Sequence, residues 1–175
     1  VVANWYVYFN TPTMGAGKTL FINENFAAGD SSAWAQTEPD AAQFRVSGGA
    51  DVNATGGTYI AYLFASIPGF SKVFSYTGNG SGDGVFVHLG FKPAFILRKP
   101  TGSGSWGVWD NQRNPYNPAD TILTPNASSV EGSSNYETDF LSNGFKARNT
   151  AWNANGSTYV GIAFAEYPNG LRGIA

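Results

Sequence analysis

Asn53-Ala-Thr-Gly-Gly-Thr-Tyr-Ile-Ala-Tyr-Leu-Phe-Ala65 is the stretch that decides the fold, because it returns as Asn153-Ala-Asn-Gly-Ser-Thr-Tyr-Val-Gly-Ile-Ala-Phe-Ala165. Seven of the 13 aligned positions are identical, all at an offset of 100. In both copies a turn of the Asn-Gly type, where positive φ is tolerated, leads into a run of β-formers. A repeat at fixed period is read first, since it sets the architecture. The run after the turn is apolar on both faces, which predicts a central strand covered from both sides.

The correspondence extends upstream. Trp5-Tyr-Val-Tyr-Phe-Asn10 matches Trp106-Gly-Val-Trp-Asp-Asn111 at offset 101. Thr19-Leu-Phe21 matches Thr121-Ile-Leu123 at offset 102, and Phe44-Arg-Val46 matches Phe145-Lys-Ala147 at offset 101. Loop insertions between shared strands produce such drift. Apolar spacing predicts first-copy strands at 5–9, 19–22, 44–46 and 58–65. Residues 23–42 are polar and small and read as a long excursion. No stretch repeats at 3.6 residues; the best places for a helical turn are 26–35 and 127–140.

Residues 70–104 have no counterpart in the first copy. They predict strands at 71–76, 85–89 and 94–99, divided by the turn run Thr77-Gly-Asn-Gly-Ser-Gly-Asp-Gly84 and by Lys92-Pro93. The chain is expected to divide into a partial β module, 1–68, and a complete one, 69–175. The two or three strands that the first module lacks are expected upstream of residue 1 or from a neighbouring subunit. The predicted fold class is all-β, an antiparallel β-sandwich or jelly roll in one partial and one complete copy.

Composition agrees. Aromatic residues make up 15% and charged residues 13% of the chain, about half the usual charged share. Its 22 Gly and nine Pro suit short strands joined by tight turns. Ten basic residues against 12 acidic ones, with no basic stripe, argue against a nucleic-acid partner. Cysteine is absent, so neither disulfides nor thiolate metal sites exist. No 18-residue apolar run suggests membrane insertion.

Motifs that carry chemistry are few. Gly15-Ala-Gly-Lys-Thr19 lacks the first glycine of a phosphate loop, where Pro12 stands, and runs into a predicted strand instead of a helix. His88 is the only histidine, on the opposite strand face from Val85, Val87 and Leu89, which excludes a multi-histidine metal site. Asp110, Glu131, Glu137, Asp139 and Glu166 are the carboxylates from which a glycosidase pair would be drawn. For Asp110 the competing reading is a carboxylate satisfied by Arg113 or by turn amides. Asp30, Asp83 and Asp139 lie in turns without calcium-loop spacing. Trp34, Tyr116 and Trp152 stand in polar, loop-like surroundings and are the candidate glycan contacts; they could equally plug the edge of a core. The Asn-x-Ser/Thr triplets at Asn53, Asn79, Asn126 and Asn155 read as turns. No cofactor and no catalytic residue is expected.

Five blocks occur in a fixed order: Ser75-Tyr-Thr-Gly-Asn-Gly80, Leu89-Gly-Phe-Lys-Pro-Ala-Phe95, Trp109-Asp-Asn-Gln-Arg113, Asp139-Phe-Leu-Ser-Asn-Gly-Phe145 and Tyr159 to Glu166. In that order they resemble a repeated module of predicted tail and fibre proteins of marine bacteriophages. The likeness covers 70–167 and about two thirds of the module in 1–66. The first copy departs from it, with Ser66 in place of Glu166 and Phe9-Asn10 in place of Asp110-Asn111. The resemblance implies a non-enzymatic virion surface role: tail fibre, receptor-binding protein, or capsid-attached fibre or decoration. It implies partnership with further copies of the chain, a homotrimer first, with other virion proteins, and with a host-surface glycan. A carbohydrate-binding domain acting alone and a glycan-degrading enzyme are the competing readings.

Overall fold

The computed structural model describes residues 4–133 and 136–168. The protein is all-β, and its strands pair antiparallel in three sheets. The largest sheet is four-stranded, in the order β4 (Ser71–Thr77), β10 (Thr158–Ala165), β6 (Pro93–Pro100) and β7 (Gly107–Asp110). A second holds β5 (Phe86–His88), β9 (Gly144–Ala147) and β8 (Thr138–Leu141) in that order. A third, from the first copy, holds β1 (Tyr6–Val7), β2 (Lys18–Phe21) and β3 (Gly29–Asp30). One helical turn, α1 (Ala50–Asn53), precedes the repeated turn, and the described residues of the two expected helical segments, 26–35 and 127–140, hold no helix.

β10 is the strand that its sequence predicts. It pairs with β4 from Thr158↔Thr77 to Phe164↔Ser71, and with β6 from Tyr159↔Pro100 to Phe164↔Phe95. Alternate side chains enter different cores, as a pleat of period two requires. Tyr159, Ala163 and Ala165 join Phe74, Ile96 and Trp109 against Phe140, Phe145 and Val87 of the second sheet. Val160 and Ile162 pack with Trp106 against Phe9, Met14 and Leu20 of the first copy. The first copy therefore covers the far face of the large sheet. Trp106 fixes it there by donating its indole N–H to the Phe21 carbonyl at 2.7 Å.

The first copy of the signature strand departs from expectation. Residues 58–65 form no ladder, and their apolar side chains face solvent. Ile60 is 68% exposed against 0% for Val160, Tyr62 64% against 6% for Ile162, and Leu63 70% against 0% for Ala163. Residues 44–46, also predicted as strand, are irregular. The cause is topological. β10 owes its strand to β4 and β6, and β9 owes one of its two ladders to β5. A lone β segment makes no hydrogen-bonded ladder, and propensity alone does not replace one.

The turns, which need no partner, are retained. Gly56 and Gly156 both take positive φ, at 76° and 73°. Gly57 N–H donates to the Ala54 carbonyl at 2.9 Å, and Ser157 N–H to that of Ala154 at 3.0 Å. The Tyr59 hydroxyl accepts the Ala54 N–H at 2.8 Å, and the Tyr159 hydroxyl accepts the Ala154 N–H at 3.1 Å. A composition accident would not reproduce a tyrosine-to-turn hydrogen bond at both ends of the chain.

β6 carries two cations into the interior. Arg98 is fully buried between the sheets, with its guanidinium 4.1 Å from the Trp109 ring centroid and 5.3 Å from that of Trp152. It donates to the Thr138 hydroxyl at 2.7 Å and to that of Tyr76 at 3.2 Å. Burial pushes the Tyr76 hydroxyl up to about 12.

Lys99 is buried too, its ammonium donating to the carbonyls of Pro100 and Gly102 at 3.1 and 3.2 Å. Burial lowers its pKa to about 8 from 10.5. Between those values the unfolded chain binds more protons than the folded one, so stability rises with pH through that window. Denaturant titrations at pH 8 and pH 10 should differ by about 2 kcal/mol in favour of pH 10, before tyrosine ionisation reverses the trend. Lys99→Met should remove the difference.

Candidate functional site

The three candidate glycan contacts lie in separate neighbourhoods. Trp152 is in the core: its ring meets Trp109 edge-on at 4.7 Å, and it is 7% exposed. It serves as a wall of the Arg98 cage, which fits the alternative reading of this residue as part of a core. Trp34 is half-buried in the first copy, tilted against Tyr8 at 5.9 Å. The Tyr8 hydroxyl donates to Glu38, whose other oxygen accepts the Ala16 N–H at 2.7 Å. Burial and the Glu38 carboxylate raise the Tyr8 pKa. Trp34 therefore braces the loop that closes the first copy.

Tyr116 is 84% exposed, at the rim of a depression of about 160 Å³ lined by Lys92, Asn111, Asn114, Asn117 and Phe140. That volume is below the usual range for small-molecule sites. The amides around it are committed to the protein. Asn114 donates to Asp120 at 3.0 Å and accepts the Thr121 N–H at 2.9 Å. Asn117 donates to the Phe140 carbonyl at 2.9 Å and accepts the Phe140 N–H at 2.8 Å. Asn111 donates to Glu166 at 3.0 Å, and Lys92 pairs with the same carboxylate at 2.9 Å. Tyr116 alone offers a free ring face.

Four of the five candidate carboxylates are ion-paired, Glu131 with Arg113 at 3.5 Å among them. Asp110 pairs with Arg113 and accepts the backbone N–H groups of Gln112 and Arg113 at 3.0 and 2.9 Å, as the plainer reading of that residue predicts. Asp139 pairs with Arg148, Asp83 with Lys146 and Arg148, and Asp30 with Lys18. Glu137 accepts from Asn149 at 3.0 Å. His88 is exposed at the end of β5, beside the Phe86 ring. Lys18 and Thr19 of the phosphate-loop look-alike lie on β2. Among the described residues no group of three or more His, Asp or Glu could hold a metal ion, and no helix is long and apolar enough to cross a membrane.

Two features went unread in the sequence. One is the Arg98 cage. The other is the clamp on Asn153, which is fully buried. Its amide donates to Asn79 and to the Ser81 carbonyl, the latter at 2.7 Å, and its side-chain oxygen accepts the Asn79 N–H at 3.1 Å. Its backbone carbonyl accepts the Gly80 N–H at 2.7 Å. A Cβ on Gly78 would stand 2.3 Å from the Ala154 carbonyl, which is why glycine is required there. The run from Thr77 to Gly84 is thus the strap that holds the repeated Asn turn. The recurrence of Asn at 53 and 153 was the available signal. Asn53 is exposed, with no strap over it.

Among the described residues the exposed large apolar side chains concentrate in the run from Tyr59 to Ile67, lying within 20 consecutive uncharged residues, Val52 to Ser71. Soluble proteins usually protect such segments with charges. Trp5, 55% exposed, stacks on Tyr62 at 6.3 Å and extends the same surface.

No curated protein and no solved structure matches this chain. A family model described as a domain of unknown function (DUF7483) matches residues 1–168, and the chain belongs to that family.

Proposed function

We propose that this chain is a structural module of a virus-particle surface, of the tail-fibre or head-fibre kind, and that it works by packing against other protein units. The observation that carries the reading is the exposed, uncharged apolar run from Tyr59 to Ile67. Contiguous apolar surface of this kind marks contact with another protein. Interface cores are poor in charge and rich in Tyr, Trp and Phe, as this chain is. The order of its sequence blocks, which resembles a repeated phage fibre module, supplies the virion setting. The ion-paired carboxylates and the committed amides near Tyr116 suit a scaffold.

The test is proteomic. Peptides of this chain should be recovered from density-banded virus particles in amounts fitting a repeated surface component, and surface proteolysis of intact particles should release them. Recovery from the soluble fraction alone would contradict the reading.

A further inference from the structure

We propose that residues 59–65 and the open edge of β1 are the receiving half of a strand-completion site, and that its occupant is the β4–β6 portion of another unit of this same module. The inference rests on the packing role above and names the partner.

The second copy is the template. There β6 lies between β7 and β10 and pairs with both, while β4 closes the outer edge of β10. In the first copy β1 corresponds in sequence to β7, and residues 59–65 to β10. β1 pairs with β2 on one side only. Among the described residues no strand lies between β1 and 59–65. The turn that should launch the strand is already formed, down to the tyrosine hydrogen bond. Asn53, the twin of the strapped Asn153, waits uncovered beside it. One β6-type strand, one β4-type strand and one Gly-rich strap would satisfy all three vacancies at once.

Area agrees. The exposed parts of Trp5, Tyr59, Ile60, Tyr62, Leu63, Phe64 and Ile67 sum to roughly 600–1,000 Å² at about 150–250 Å² per large side chain. A stable interface buries about 800 Å² on each partner. Residues 52–71 carry no charge, so the receiving surface imposes no charged partner on an incoming strand.

The occupant is a sibling unit and not the β4–β6 of an identical copy. Gly161 is tightly enclosed: a Cβ there would stand 2.3 Å from the Leu97 carbonyl oxygen of β6 and 2.6 Å from the Phe74 ring. Its twin is Ala61, and the twin of the fully buried Ala163 is Leu63. An incoming pair must therefore carry a smaller side chain where β4 has Phe74, and its β6-type strand must lie farther from residue 61 than the Leu97 carbonyl lies from Gly161. This works against a simple exchange of β4–β6 between two copies of this chain.

The experiment joins a second copy of residues 69–104 ahead of Asn4 of the full chain, with Phe74→Ala in the grafted copy, and with Ala61→Gly and Leu63→Ala in the receiving strand of both the grafted and the ungrafted chain. Hydrogen exchange by mass spectrometry then reads the 59–65 and 159–165 peptides in one molecule. Exchange in 59–65 should slow by on the order of 100-fold or more relative to the ungrafted chain. Asn53→Ala should reverse most of that gain in the grafted protein and leave the ungrafted protein unchanged. Unslowed exchange in 59–65, with Phe74→Ala or with Phe74→Gly in the graft, overturns the proposal, whether or not 159–165 stays protected. So does a concentration-dependent dimer of the ungrafted chain that protects 59–65, since it would make an identical copy the occupant. None of these outcomes depends on where the protein resides. Absence from virus particles would sink the virion reading and leave the strand site standing.

Discussion

Trp106→Ala should lower the unfolding free energy by about 4 kcal/mol, while the same change at its twin Trp5 should cost less than about 1 kcal/mol. The two residues occupy one position of the repeat, so intrinsic propensity cancels in the comparison. Trp106 is 0% exposed, packs with Val160 and Ile162 against Phe9 and Leu20, and gives its N–H to the Phe21 carbonyl. Truncation would open a ring-sized cavity and remove one of the two hydrogen bonds that the Phe21 carbonyl accepts, the other coming from the Glu24 N–H at 3.2 Å. Trp5 has only the stack on Tyr62 to lose. Chemical denaturation of the two variants beside the parent chain measures the difference. Equal costs would mean that the first copy is as well packed as the second.

The second large effect is at Arg98, where the order of substitutions matters more than any single value. Arg98→Ala should cost about 3 kcal/mol and Arg98→Lys a similar amount, while Arg98→Met should stay within about 1 kcal/mol of the parent. The guanidinium is stacked among Trp109, Phe145, Trp152 and Tyr76. No acidic side chain is paired with it among the described ion pairs. Its Nε, buried, has no hydrogen-bond partner. Burial accordingly lowers its pKa. Stacking of a desolvated cation on aromatic faces offsets part of the desolvation cost. Methionine fills much of the volume and needs no solvation. It also orphans nothing, since Tyr76 still donates to the Trp152 carbonyl and Thr138 to that of Tyr136. Lysine keeps the charge, is more strongly hydrated and cannot stack as a plane. Denaturation midpoints across the three variants test the order. Arg98→Met falling as far as Arg98→Ala would show that the cation itself holds the sheets together.

Much of the architecture was legible because the repeat carries its own control. Wherever residues 70–104 supply partners, the predicted strands form: 158–165, 145–147 and 94–99 all sit in ladders. Where those partners are missing, the same letters fail, as at 58–65 and 44–46. Local sequence can state a preference for extended backbone, but a ladder is a property of two segments. Asp110 was legible for the opposite reason, since its partners lie within three residues. Trp152 was legible only as one of two readings, a glycan contact or a plug at the core's edge, because a tryptophan among Asn and Ala reads as loop in one dimension, while here that loop is folded under the strap from Thr77 to Gly84. Arg98 stands near the end of the predicted strand 94–99, and nothing in the local sequence marks it as buried. Only the closure of β8 over β6 makes it a core residue.

The central claim is that the chain holds two copies of one β unit and that only the second has partners for its last strand. Native-state hydrogen exchange of the unaltered chain at low concentration measures this most directly. The account predicts that amides of 59–65 exchange within seconds, while those of 159–165 are among the slowest in the molecule. Comparable protection of the two segments would contradict it.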